Sequence, residues 1–188
     1  MMLPTHVLVG MALATPVAVA VPELAGSVVA GAVVGSVLPD VDVVARHRRT
    51  LHFPSGYVLL AVPTVIVVLV WPSTATAAVA TATVAAAVHS RMDAYGGSYE
   101  LRPWERTTDR AVYDHVRGEW RLAKRSIRYD GSRSDLLLSF AAATPPLVLL
   151  DGTYRPLVGG ALAVAVSYTL LRRRLPDIVD DAADRLRG

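Results

Sequence analysis

The stretch Leu38-Pro-Asp-Val-Asp-Val-Val-Ala-Arg-His-Arg-Arg-Thr-Leu-His52 places two carboxylates, Asp40 and Asp42, and two imidazoles, His47 and His52, within a few turns of chain. Aspartate and neutral histidine supply the oxygen and nitrogen donors that bind a divalent metal. Two further groups of the same chemistry stand elsewhere: His6 opens the first apolar segment, and His89-Ser-Arg-Met-Asp93 closes the fourth. His89 and Asp93 are four residues apart, so a continuing helix puts both on one face. His47 and His52 are five apart and would diverge on a helix. If both serve, their loop is irregular, or one is a ligand and the other an outer partner or an acid/base. Taken singly, each has an ordinary structural reading: a histidine at a helix end caps it, and an Asp after Pro sits in a turn. Their joint placement is what points to a metal.

The chain is 53% hydrophobic and 19% charged, and its mean hydropathy is +0.40. Soluble domains carry roughly 25% charged residues. The apolar residues fall in blocks with the charges between them: Val7–Val21, Leu24–Leu38, Tyr57–Trp71, Thr74–Val88, Asp135–Leu150 and Pro156–Leu171. Pro22-Glu23, Pro72-Ser73 and Asp151–Arg155 are short breaks between them. This pattern predicts an all-α fold: a polytopic membrane bundle of about six short transmembrane helices in three hairpins, forming one membrane domain over residues 1–188. The blocks are short against the roughly 20 residues of a full span. A buried soluble bundle is the competing architecture. Gly26, Gly31 and Gly35 in the second block suit close helix approach, or simply reflect a Gly/Ala-rich composition.

All but one of the 19 Lys and Arg residues lie after the second, fourth or sixth block, the exception being Arg155. Positive charge marks the cytoplasmic side. The chain is therefore expected in the cell membrane with both termini cytoplasmic, and the start lacks the basic n-region of a secretory signal. The same arrangement brings His6, Asp40, Asp42, His52, His89 and Asp93 to one membrane level as metal ligands. There is no cysteine, so thiolate sites are excluded. The loop over residues 91–134 mixes Trp104, Tyr113, Trp120 and Tyr129 with both charge signs and is read as an amphipathic helix lying over the site. Its acids argue against nucleic acid as a partner. His115 there is a further candidate donor, and the 135–188 hairpin and charged tail end with a short helix from Pro176.

His6, Leu38-Pro39-Asp40-Val41-Asp42, His47-Arg48-x-x-x-His52 and His89-x-x-x-Asp93, in that order over residues 1–97, resemble the pattern of the YdjM-like membrane-bound metal-dependent hydrolases. That pattern has an early histidine, a Leu-Pro-Asp-x-Asp turn, a His-Arg-Gly-x-Thr-His-Ser box and a His-x-x-x-Asp helix end. This chain departs from it at Arg49, in the box interior at Thr50 and Leu51, and at Phe53. The His-to-His spacing is kept, so the metal donors carry over better than any role for the box's Thr and Ser. The resemblance implies a multi-pass helical hydrolase using a divalent ion such as Zn, Mn or Fe.

The function expected is hydrolysis at the cytoplasmic membrane face, of a phosphoester or lipid headgroup, with a membrane lipid or membrane-associated small molecule as substrate. The metal would activate water and polarise the scissile bond. His47, flanked by Arg46 and Arg48, is expected to stay neutral and serve as the catalytic proton acceptor. An ion-coupled transporter and a non-catalytic scaffold holding a structural metal use the same residues differently.

Overall fold

The computed structural model describes residues 1–187; Gly188, the last residue of the charged tail, lies outside the described residues. The apolar blocks form six helices: α1 (Leu3–Ala20), α2 (Ala25–Val37), α3 (Gly56–Val70), α4 (Thr74–Met92), α5 (Arg133–Leu149) and α6 (Arg155–Leu171). A seventh, α7 (Leu175–Arg187), follows in the tail. The described residues are mainly helical, with one small two-stranded sheet.

The breaks are built as their residues dictate. Pro22 starts a 3-10 turn that hands α1 over to α2. Ser73 caps α4 through a reciprocal capping box with Thr76, a motif that satisfies two backbone donors that have no partner inside the helix. Ser132 caps α5 by accepting from Asp135 N–H. Pro39 does not stop the second segment outright: the backbone tightens into a 3-10 turn over Leu38–Val44. The run Pro22–Val44 thereby reaches 23 residues.

Among the described residues three helical stretches are long and apolar enough to cross a membrane: Leu3–Ala20, Pro22–Val44 and Gly152–Leu171. Gly56–Val70 is apolar but shorter. Prolines 16, 63, 145 and 146 lie inside helices. In water an interior proline costs about 3 kcal/mol or more, whereas membrane helices tolerate it. The outer faces are apolar as well. Of α3 only Ala61 is buried, while Leu59, Val62, Ile66, Leu69 and Val70 are exposed. Contiguous exposed apolar surface of this kind marks an interaction with membrane or protein.

α2 packs between α1 and α4, α1 contacts α5 and α6, and α3 leans on α4. Small residues make the closest approaches. A Cβ added at Gly31 or Gly35 would overlap the backbone carbonyl of Ala78 or Ala82 on α4, and one at Gly10 would overlap the Ser36 side chain. Gly26 faces open space. Two of the three glycines of α2 are thus required by contact, and the third is not.

The polar segment is not the amphipathic helix expected from its composition. It forms an antiparallel hairpin of β1 (Arg110–Asp114) and β2 (Glu119–Leu122) flanked by irregular chain. The physical reason lies in Arg-Ala-Val-Tyr-Asp and Glu-Trp-Arg-Leu, which carry the β-branched and aromatic residues that favour strands. Gly118, at a φ of 69°, then closes the turn where a side chain would strain the backbone. The segment does lie over the end of the bundle, as expected. Arg48 Nη1 donates to the Gly97 carbonyl at 2.9 Å, Tyr113 N–H to the Arg48 carbonyl at 3.0 Å, and Ser55 Oγ to Asp114 at 2.7 Å. Asp135 ties α5 to the start of α1 by accepting from Met2 N–H at 2.8 Å and Thr5 Oγ1 at 2.7 Å.

Candidate metal centre

The four donors come from the ends of α2, α3 and α4 that lie together at one end of the bundle. Asp40 follows α2 on the 3-10 turn, His52 precedes α3, His89 lies in the last turn of α4, and Asp93 immediately follows that helix. One ligand atom from each of these four lies within 4.8 Å of the others, and His52, His89 and Asp93 are fully buried. The individual approaches are 3.5 Å from His52 Nε2 to Asp40 Oδ1, 3.1 Å from His52 Nε2 to Asp93 Oδ2, 3.3 Å from His89 Nε2 to Asp40 Oδ1 and 3.6 Å from His89 Nε2 to Asp93 Oδ2. Bonds of about 2.1 Å from four donors to one tetrahedral ion put the donors about 3.4 Å apart. The group could hold a metal ion.

The hydrogen bonds behind the rings fix which nitrogen is free. His89 Nδ1 lies 2.6 Å from the Ser36 carbonyl, which can only accept. Nδ1 therefore carries the proton and Nε2 presents a lone pair. That Nε2 is buried and has no hydrogen-bond partner. A buried polar atom without a partner is costly and calls for an explanation, and an ion at the centre of the four donors supplies one. His52 Nδ1 donates to Asp42 Oδ2 at 2.9 Å, which again turns Nε2 inward. With carboxylates at both nitrogens, His52 holds a second proton unless a cation replaces it. Burial alone would lower its pKa, but the hydrogen bonds to Asp40, Asp42 and Asp93 overrule this and push it up to about 10. Metal ligands of this type usually have such an outer carboxylate or carbonyl on the far nitrogen.

The remaining expected residues stand around the four rather than among them. His6 stacks on His89 with ring centroids 3.6 Å apart, and its Nε2 meets the other oxygen of Asp93, Oδ1, at 3.1 Å. The Met1 amino group donates to that same oxygen at 2.7 Å. Asp42 lies behind His52. It is fully buried and accepts from His47 Nδ1 at 3.0 Å, His52 Nδ1, and the backbone N–H groups of Arg48, Arg49 and Leu51 at 3.3, 3.2 and 3.1 Å. His47 is 36% exposed in its side chain. Its pKa is lowered by burial and by the Arg48 guanidinium. His115 is exposed and donates to the Arg49 carbonyl.

Neither a family model, nor a curated protein, nor a solved structure matches the chain.

Two members of this centre were not legible as such in the sequence. Arg48 is buried at a φ of 60°, its Nη2 lies 3.8 Å from Asp93 Oδ1, and its Nε has no partner. In the sequence it stands only as the Arg of His47-Arg48-x-x-x-His52, with no role attached to it. The Ser36 carbonyl is a backbone group, and no residue type announces it.

Proposed function

We propose that the chain is a membrane-bound metal-dependent hydrolase of the YdjM-like kind, acting at the cytoplasmic membrane face on a phosphoester of a lipid headgroup. The observation that carries the reading is the buried, unpartnered Nε2 of His89 aimed at three further donors of the right chemistry. Asp40, His52, His89 and Asp93 would hold the ion, and two nitrogens with two oxygens suit Zn, Mn or Fe. A divalent ion there supplies Lewis acidity toward a phosphoryl oxygen.

The surrounding side chains have distinct tasks. Asp42 and the Ser36 carbonyl fix the ligand rings. His47, with Nδ1–H engaged by Asp42, keeps Nε2 as an acceptor for a proton from water. Arg48 adds a buried positive charge suited to an anionic substrate. Asp40 is the ligand with some exposure, 18% of its side chain. It is flanked by Val41, Val43 and the 88% exposed Val44. Exposed valines beside the one partly accessible ligand favour a substrate that arrives from the bilayer over one that arrives from water.

The test is hydrolysis of phospholipids by purified protein in proteoliposomes, followed by release of the headgroup. Activity should disappear on chelation and return on metal addition. His47→Ala should keep its metal while turnover falls by about 10²–10⁴-fold, the usual worth of a general base. Turnover insensitive to both chelation and His47→Ala would overturn the reading.

The membrane arrangement we infer uses all six helices as spans with both termini inside, supported by the one-sided basic residues. Because the chain has no cysteine, single introduced cysteines report cleanly. Gly152→Cys, in an open turn with nothing near its added side chain, should react with an impermeant thiol reagent on intact cells. Ser126→Cys, on the exposed polar segment, should react only after the membrane is opened. Labelling of Ser126→Cys from outside would reverse the topology.

A further inference from the structure

We propose that the face of α4 turned away from the metal centre binds an anionic phospholipid, with an acyl chain in a groove between α3 and α4 and the phosphate in a basic cleft under the hairpin. The orientation rests on the membrane reading above. The site itself is separate from the metal centre, because Arg91 lies two residues beyond His89, about 200° further round the helix.

Two open grooves that share Arg91 carry the inference. The first, of about 430 Å³, runs between α3 and α4 and is lined by Val58, Val62, Ile66, Val84 and Val88, with Arg91 at its end. The second, of about 660 Å³, is lined by Arg91, Arg117, Arg121 and Lys124, with Tyr95 and Trp120 on its walls. Arg91 belongs to both. An apolar slot that ends on a guanidinium, and opens there into a cationic cleft, has the polarity of an anionic lipid from tail to headgroup.

The charges support that occupant. Among the described residues Glu119 is the one acid lining the cleft. Arg121 is partly neutralised by Asp114, 2.9 Å away, and Arg117 lies 4.0 Å from the same carboxylate. Arg91 uses Nε on the Pro54 carbonyl at 3.2 Å, and Lys124 sits 4.0 Å over the Tyr95 ring. Among the described residues no ion pair forms at Arg91 or Lys124. Basic pockets between helices on the cytoplasmic side are the usual seat of anionic headgroups, and Trp and Tyr favour that depth. The slot below the cleft favours a lipid over free phosphate.

The experiment is native mass spectrometry of the full chain in detergent, offered equal amounts of phosphatidylglycerol and phosphatidylcholine with identical acyl chains. Phosphatidylglycerol should be retained about tenfold or more over phosphatidylcholine, since each basic residue near the headgroup strengthens anionic-lipid binding several-fold. Arg91→Gln with Lys124→Gln should bring the two lipids close to parity. Val62→Trp, filling the slot from the exposed side of α3, should weaken both lipids together. Inorganic phosphate at matched concentration should not displace the bound lipid. Equal retention of the two lipids by the unaltered protein, or an undiminished preference in the double variant, would overturn the proposal. Displacement by inorganic phosphate would also overturn it, by reducing the site to an anion cleft. His89→Ala should keep the lipid preference, so loss of the metal centre and loss of the lipid site are read separately.

Discussion

His89→Ala should strip the protein of its metal, whereas His47→Ala should leave it loaded. His89 contributes a lone pair directly to the four-donor group, from a helix that continues to within a residue of Asp93. Its ring is locked by the Ser36 carbonyl on one side and by the stacked His6 on the other. A ligand held by regular structure is placed more precisely than one on a loop. Loss of an outer partner alone typically costs 10–100-fold in metal affinity, so loss of the ligand itself should exceed about 100-fold. His47 makes no hydrogen bond to the four donors; it meets the centre through Asp42 and at the edge of the His52 ring, with centroids 5.6 Å apart. Metal analysis of the two purified variants, at matched monodispersity in detergent, checks this. Equal retention would remove His89 from the ligand set and detach the end of α4 from the site.

The second large effect belongs to a residue outside the four. Asp42→Ala should lose metal and also loosen the fold. Its buried carboxylate gathers two imidazoles and three backbone N–H groups, of which His52 Nδ1 and the Arg48 N–H are buried with it. Each buried donor left without a partner costs about 1–3 kcal/mol, so the loop from Arg46 to His52 should lose its shape. Metal affinity should fall at least about 10–100-fold, because His52 is no longer oriented. Asp42→Asn should rescue little, since one of its two terminal atoms is a donor facing donors. The measurement pairs metal content with thermal unfolding in detergent. A variant that keeps both would show that the Asp42 carboxylate is dispensable.

Much of this architecture was legible in the sequence because apolar blocks and proline breaks act locally. The six expected blocks correspond to α1–α6 with ends shifted by a few residues, the largest shifts being the start of α1 and the end of α4. The tail helix begins one residue before Pro176. The polar segment was not legible in the same way. Its charges and aromatics fit an amphipathic helix as well as a hairpin, and strand pairing between residues 110 and 122 is a non-local choice. Among the donors, residue type identified the cluster but not the order of its shells. Asp40 and Asp42 are two apart in one turn, and the side that each takes depends on the 3-10 geometry of Leu38–Val44. That geometry turns Asp40 to His89 and Asp42 to the loop. His6 and His89 likewise look alike in sequence. Only packing shows that one ring lies on the other and meets the far oxygen of Asp93.

The central claim is that Asp40, His52, His89 and Asp93 form one metal centre, and metal analysis of the unaltered chain tests it most directly. Protein purified without added metal, then chelated, then titrated with Zn, Mn or Fe, should take up about one equivalent per chain through these four donors. Uptake should be lost in His89→Ala and in His52→Ala while both variants remain monodisperse. Folded, unaltered protein that binds none of the three ions above background, before and after reloading, would contradict the account.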